Sequence, residues 1–239
     1  SEMCIRDSIC SAIMIDLHTH TLFSDGELLP SELVYRAKVK GYKAIALTDH
    51  TDFSNIDFVI SQIKRITHKL THEYKIIVLP GVEITYVPPK LIPKIVKLAR
   101  KLGAKIVVIH GETTAETVPT GTNHMGIIAK ADIIAHPGKI TIDDVKLASK
   151  HGIHLEITSR KIHSKTNFHV AKLAKIANTK LVLNTDTHSL KDLMDKTTVE
   201  KILKDSNLTK KDFQVMQHNA SELIKKLYRR ESVVEKWLS

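Results

Sequence analysis

The chain has 239 residues, 42% of them hydrophobic and 26% charged, with a formal net charge of +10. That length suits one large domain, since α/β barrels commonly occupy about 200–250 residues as a single unit, and the composition is neither disordered nor fibrous. No apolar run approaches the roughly 20 residues that span a bilayer, and only 5% of residues are aromatic, little material for base-stacking platforms. Neither a membrane nor a dedicated nucleic-acid partner is therefore expected. The positive charge favours acidic partners such as phosphorylated small molecules, although the lysines are scattered along helices and read singly as solvated faces. A homo-oligomer is compatible with all of this.

The first thirteen residues, SEMCIRDSICSAI, look unlike the rest and precede Met14, which opens a clear strand. They lack the basic and apolar regions of a secretory signal. We read 1–13 as an extension foreign to the domain, which then runs 14–239 without a linker. Both cysteines, Cys4 and Cys10, fall in that extension. The domain then has no disulfide, any metal must be held by His and carboxylates, and a cytoplasmic location is the simplest reading.

From Met14 onward, short apolar runs alternate with helical patterns. Strands are predicted at 14–18, 43–50, 75–84, 104–110, 131–136, 152–158 and 180–188. Between them, PSELVYRAKV sets Leu33, Val34 and Ala37 on one side and stops before Gly41, and a second helix stops at Gly103. A third opens with Thr141 and Asp144 at capping-box spacing and stops at Gly152. Ser189 with Asp192, and Asn219 with Glu222, suggest later helix starts, and the tail from Thr209 reads as two helices. Seven strands alternating with helices argue for a parallel α/β fold. No glycine-rich phosphate loop follows any strand, so a Rossmann-type open sheet lacks its main support. A sheet covered by helices and closed on itself is favoured.

The strand ends carry the chemistry. The first runs into His18 and His20, which point to one face at i, i+2 spacing, and then a Ser-Asp-Gly turn carrying Asp25. The second ends at Asp49 and His50, the third at Glu83, the fourth at His110, the fifth at His136 before Pro137 and Gly138, and the seventh at Asp186 and His188. In an α/β barrel these ends converge on one face, where active sites form. Six of the 14 histidines close a strand or follow one directly. Any one of them could be a hydrogen-bonded core histidine; six together with three carboxylates point to a metal centre. Of the other eight, His68, His72, His124, His151, His154, His169 and His218 read as surface residues, and His163 is the exception. Nine ligands exceed the need of one metal, so two or three divalent ions are implied. The donor set suits Zn²⁺, Mn²⁺ or Fe²⁺, with Glu83 the candidate bridge between two of them.

The succession HTHTLFSDG, LTDH, GVE, IH, AHPG and NTDTH resembles the PHP (polymerase and histidinol phosphatase) superfamily, from Met14 to about His188. Within it, the chain is similar to stand-alone histidinol-phosphatase-like enzymes. The resemblance implies a distorted TIM-like (β/α)7 barrel with a trinuclear centre at the C-terminal ends of its strands. It implies His18, His20, Glu83 and Asp186 on a first metal, Glu83, His110 and His136 on a second, and Asp25, His50 and His188 on a third. Some members of the family carry His near the position of Asp25. These nine would be the catalytic set, acting through a metal-bridging hydroxide on a phosphomonoester, with L-histidinol phosphate the leading substrate. Asp49 could orient an imidazole or merely hold a strand end. Arg160 and His163, in the loop after the sixth strand, could bind the substrate phosphate, or that loop could be an exposed basic one. The long polar segment 110–124 could wall or cover the site.

Rival readings remain at this level. An amidohydrolase also uses H-x-H after its first strand, but typically adds a lysine after strand four and a lone late aspartate; here His110 and an Asp-x-His pair stand in those places. The others are a PHP phosphoesterase acting on nucleotides or oligonucleotide 5′ ends, and a non-catalytic PHP module.

Overall fold

The computed structural model describes residues 14–228. The extension read at 1–13, its two cysteines and residues 229–239 lie outside the described residues. In chain order the elements are β1 (Met14–Asp16), α1 (Pro30–Val39), β2 (Tyr42–Leu47), β3 (His50–Thr51), α2 (Ile56–Tyr74), β4 (Ile77–Ile84), α3 (Ile92–Leu102), β5 (Ile106–His110), α4 (Thr122–Ile128), β6 (Ile133–Ala135), α5 (Ile142–His151), β7 (His154–Thr158), α6 (Asn167–Ala177), β8 (Leu181–Asn184), α7 (Lys196–Asp205) and α8 (Lys210–Leu227). No helix among the described residues is long and apolar enough to cross a membrane.

All pairings are parallel, in the order β1-β2-β4-β5-β6-β7-β8. β2 pairs with the first half of β4 and β3 with Glu83 and Ile84, so β2 and β3 are one strand position interrupted at Thr48 and Asp49. That makes seven positions. The ring is nearly closed by a bridge between Thr19 and Thr187 just beyond β1 and β8, with His20 N–H donating to Thr187 O at 2.8 Å and Asp186 N–H to His18 O at 3.0 Å. The chain is thus a distorted, TIM-like α/β barrel.

Alternation along the strands sorts the core. Ala44, Ala46, Ile77, Leu79, Ile106, Val108, Ile133 and Val182 fill the interior, where Leu223 and Ile224 of α8 join them. The alternate positions Val82, Val107, Ile109, Ile134, Leu155 and Ile157 pack outward against α3–α8. The Thr141–Asp144 cap and the glycine ends at Gly103 and Gly152 form.

Two expectations fail here. The tail from Thr209 is one described helix to Leu227, so Asn219 does not start a second one. Its cap-like side chain is instead buried within α8 and donates from Nδ2 to Leu181 O at 2.9 Å, a tertiary hydrogen bond that outweighs the local signal. Ser189 and Asp192 do form a capping box, but on a single 3₁₀ turn, Leu190–Asp192.

His154 is not a surface residue. It opens β7 in register with Ile133, 5% exposed, and neither ring nitrogen has a hydrogen-bond partner among the described residues. Burial, aided by Lys180, pushes the imidazole down to about 4. An unfolded chain protonates it near 6.5. Between those values the unfolded state binds more protons, so stability is full above pH 6.5 and falls as the pH drops towards 4. The expected loss between pH 7 and pH 5 is roughly 2 kcal/mol. His154→Leu, in metal-free protein, should flatten the pH dependence of denaturant unfolding by about that amount; an unchanged slope would mean that the folded state accommodates the charge.

Candidate metal centre

Strand phase delivers the first side chains. Glu83 continues the inward series of Ile77 and Leu79, and His110 that of Ile106 and Val108, so each emerges inside the barrel one step above the apolar filling. His136 and Asp186 lie beyond the last ladder residues of β6 and β8, on backbone with φ of 27° and 53°. Of seven non-glycine residues with positive φ among those described, Lys75 and Asn178 cap the C-termini of α2 and α6, and Lys130 and Asn207 directly follow the caps of α4 and α7. The other three are Tyr86, His136 and Asp186, and all three line one cavity of about 410 Å³. Such strain outside helix caps gathers where a structure over-determines a site.

The structure brings all nine sequence-derived residues together. Glu83 is central: its Oε1 lies 3.3 Å from His18 Nε2 and 3.6 Å from His136 Nε2, its Oε2 2.7 Å from His50 Nδ1 and 3.5 Å from His20 Nε2. Asp186 Oδ1 reaches His20 at 3.2 Å and His188 at 3.5 Å. Asp25, the exposed member, lies 3.2 Å from His188 Nε2 and 3.6 Å from His50 Nε2. The rings of His110 and His136 meet edge to face, their centroids 4.5 Å apart.

The donor atoms fit bound cations. Both oxygens of Glu83 and the Nδ1 atoms of His20 and His136 are buried without a hydrogen bond among the described residues, a costly state for a polar group unless something else satisfies it. The Nε2 atoms of His18 and His20 face each other at 3.1 Å. Donor atoms within 4.8 Å of one another form four groups among the described residues: His18, His20 and Asp186; His20, Asp25, His50 and His188; His110, His136 and His163; and His18, His136 and Glu156. The electrostatics agree. Burial opposes charge on His50, yet Glu83, Asp25 and Asp186 outweigh it and raise the imidazole to about 9. Burial also opposes ionisation of Asp25, and His188 and His50 hold it down at about 2. Carboxylates here are arranged around positive charge.

The sequence-level candidates for substrate phosphate separate. Arg160 lines the cavity, its Nε 3.6 Å from Asp186 Oδ2 and its Nη1 donating to Asp186 O at 3.3 Å. His163 is buried deeper, 3% exposed, its ring stacked on His136 at 4.2 Å and its Nδ1 paired with Thr113 Oγ1 at 2.8 Å. Burial first and the neighbouring His136 second push it down to about 3. It therefore presents a neutral imidazole, and of that loop's cations Arg160 is the one that lines the cavity.

Three supporting carboxylates complete the picture. Glu156, inward on β7, accepts from His18 Nδ1 at 2.8 Å and from Asn184 Nδ2 at 2.9 Å, turning His18 Nε2 towards Glu83; it went unnoticed within an apolar-looking run. Asp49 accepts from Thr21 N–H at 2.7 Å and Ser24 Oγ at 2.9 Å, so it holds the turn leading to Asp25 and makes no hydrogen bond to an imidazole among the described residues. Glu116, from the segment after β5, meets His110 Nε2 at 3.1 Å and lies 3.7 Å from His163 Nε2. That segment walls the site because Gly138, at φ +63°, admits it: a Cβ there would stand 1.8 Å from Glu112 O.

Comparison with known proteins follows the same lines. The PHP domain model matches residues 16–237. A protein of Methanocaldococcus jannaschii, Uncharacterized protein MJ1295, is 45% identical over 215 residues, covering 89% of this chain and 99% of its own. A chain of an archaeal ribonuclease P structure with mature tRNA superposes with a TM-score of 0.68 at 17% identity, covering 91% of this chain and 94% of that one. Histidinol phosphate phosphatase from Lactococcus lactis, complexed with zinc, L-histidinol and phosphate, superposes with a TM-score of 0.56 at 18% identity, covering 90% and 93%. At those identities the two structures share the fold.

Proposed function

Because the chain belongs to the PHP domain family, we propose that it is a metal-dependent phosphatase of small phosphomonoesters, one catalytic domain over 14–239, with L-histidinol phosphate the first substrate to try. One observation carries this reading: nine imidazole and carboxylate side chains gather beside Arg160, and the buried Glu83 among them has no hydrogen bond to either oxygen among the described residues.

The residues divide by position. His18, His20, Glu83 and Asp186 would hold one ion, Glu83, His110 and His136 a second, and Asp25, His50 and His188 a third. Bound divalent ions supply positive charge for the phosphoryl oxygens and lower the pKa of water. The chain does the rest. Glu156 fixes the tautomer and direction of His18, as partners behind metal-binding imidazoles commonly do. Arg160 has five N–H donors, and its contacts to Asp186 and Asp192 engage at most the three on Nε and Nη1. The two on Nη2 suit a phosphate oxygen. Glu116 and Thr113 hold His110 and His163 in place, and Glu116 also walls the cavity.

The test strips the metals with chelator and restores Mn²⁺, Zn²⁺ or Fe²⁺ singly. A panel of phosphomonoesters including L-histidinol phosphate and nucleoside monophosphates is then assayed. Turnover should vanish on stripping and return with metal; full turnover by stripped protein would overturn the reading. Arg160→Ala should raise KM about tenfold, as loss of one charge-assisted contact does, with bound metal unchanged by mass spectrometry. A variant with wild-type KM would remove Arg160 from substrate binding.

A further inference from the structure

Tyr86 is the member of the strained trio that the metal centre does not use. It lines the cavity together with His136 and Asp186, yet is 58% exposed, so it stands at the mouth with part of its surface in solvent. Its φ is 55°. If only the backbone turn mattered here, Gly or Asn would adopt it with less strain; an aromatic side chain in that conformation points to the ring itself. The ring is placed by the site. Thr85, just before it, pairs with His50 Nδ1 at 2.7 Å, and the ring lies near-parallel to that of His110, centroids 6.1 Å apart. The polar side chains Asp52, Ser54 and Asn55 border the same cavity. Tyr86 follows β4 and Arg160 follows β7, three positions apart in a ring of seven. Their loops therefore face each other across the mouth, with the metal-type donors between them.

Resting on the phosphatase reading above, we propose that Tyr86 is a specificity-determining residue. Its ring stacks on a planar, aromatic leaving group, of the kind a nucleoside presents, while the phosphate lies on the Arg160 side. The low aromatic content of the chain argues against a long row of stacked bases; one exposed ring at one cavity is the provision for a single base. A cavity of about 410 Å³ lies within the usual range for a small ligand.

The decisive comparison is adenosine 5′-monophosphate against ribose 5-phosphate, which share the sugar and phosphate and differ in the ring. KM, kcat and calorimetric Kd are measured for metal-loaded wild type, Tyr86→Phe and Tyr86→Asn. Asn tolerates the left-handed backbone, so that variant removes the ring without adding strain, and its melting temperature and metal content serve as checks. Tyr86→Asn should weaken adenosine 5′-monophosphate binding about tenfold, the effect of losing one stacked base, and leave ribose 5-phosphate within about twofold; Tyr86→Phe should retain the preference. L-Histidinol phosphate, whose imidazole is also planar, tells a general ring preference from one for a nucleobase. Equal effects on both sugar phosphates, or none, overturn the role of Tyr86. Absence of turnover of all three esters overturns the phosphatase reading instead, and the two Kd values still judge Tyr86.

Discussion

Glu83→Gln should lower phosphatase turnover by at least about a thousandfold, roughly 4 kcal/mol of transition-state stabilisation, and bring bound metal below one equivalent. The substitution is nearly isosteric, so the barrel stays folded by circular dichroism. What changes is the charge and one oxygen. Glu83 has Oε1 near His18 and His136 and Oε2 near His20 and His50, at 2.7–3.6 Å. An amide would turn an N–H₂ donor towards two of those imidazoles and leave one neutral oxygen for the other two. Asp25 stands at the exposed rim, and Asp186 meets its imidazoles at 3.2–3.9 Å, none as near as the 2.7 Å between Glu83 Oε2 and His50 Nδ1. A variant that kept its metal and its turnover would show that the centre does not depend on this glutamate.

Glu156→Gln separates the centre from its support. Glu156 touches no cavity space; it accepts from His18 Nδ1, Asn184 Nδ2 and, at 3.3 Å, His136 N–H. Glutamine has one accepting oxygen where three donors converge. At least one donor is left unsatisfied in a fully buried place, a cost of about 1–3 kcal/mol. Metal affinity should fall about 10–100-fold, the usual effect of removing the partner behind a metal-binding imidazole, and the loss should be recoverable at high metal concentration. Titration with a competing chelator measures it. Loss that no metal concentration restores would place Glu156 among the direct ligands, where its grouping with His18 and His136 would then put it.

How much of this was legible in the sequence follows from strand geometry. The convergence of His18, His50, His110 and His188 could be read because parallel strands closed into a barrel put their C-terminal ends on one face, so an end position is a spatial address. Glu156 and His154 escaped because they sit inside GIHLEIT, where alternation with Leu155 and Ile157 looks like an apolar run until inward and outward faces are separated. Glu116 escaped because its place depends on a loop seated against Gly138, a long-range contact with no local signature. Asn219 misled for the converse reason: a true local helix-start pattern was overridden by a buried hydrogen bond to Leu181. The ends of β6 and β8 were drawn too long because His136 and Asp186 leave the ladder before they reach the cavity.

The seam between Thr19 and Thr187 has a consequence in time. The earliest and latest parts of the centre meet there, His18 beside Asp186 with all the strands from β2 to β8 between them. A ribosome-bound chain that has not yet released β8 holds His18, His20 and Glu83 but lacks the segment that completes the ring. The centre is thus completed only once closure over a long stretch of chain has been achieved, the slow kind of folding step for sheets built from distant strands. The full donor set would then exist only in the closed barrel, and its loading with metal would report that the barrel has shut.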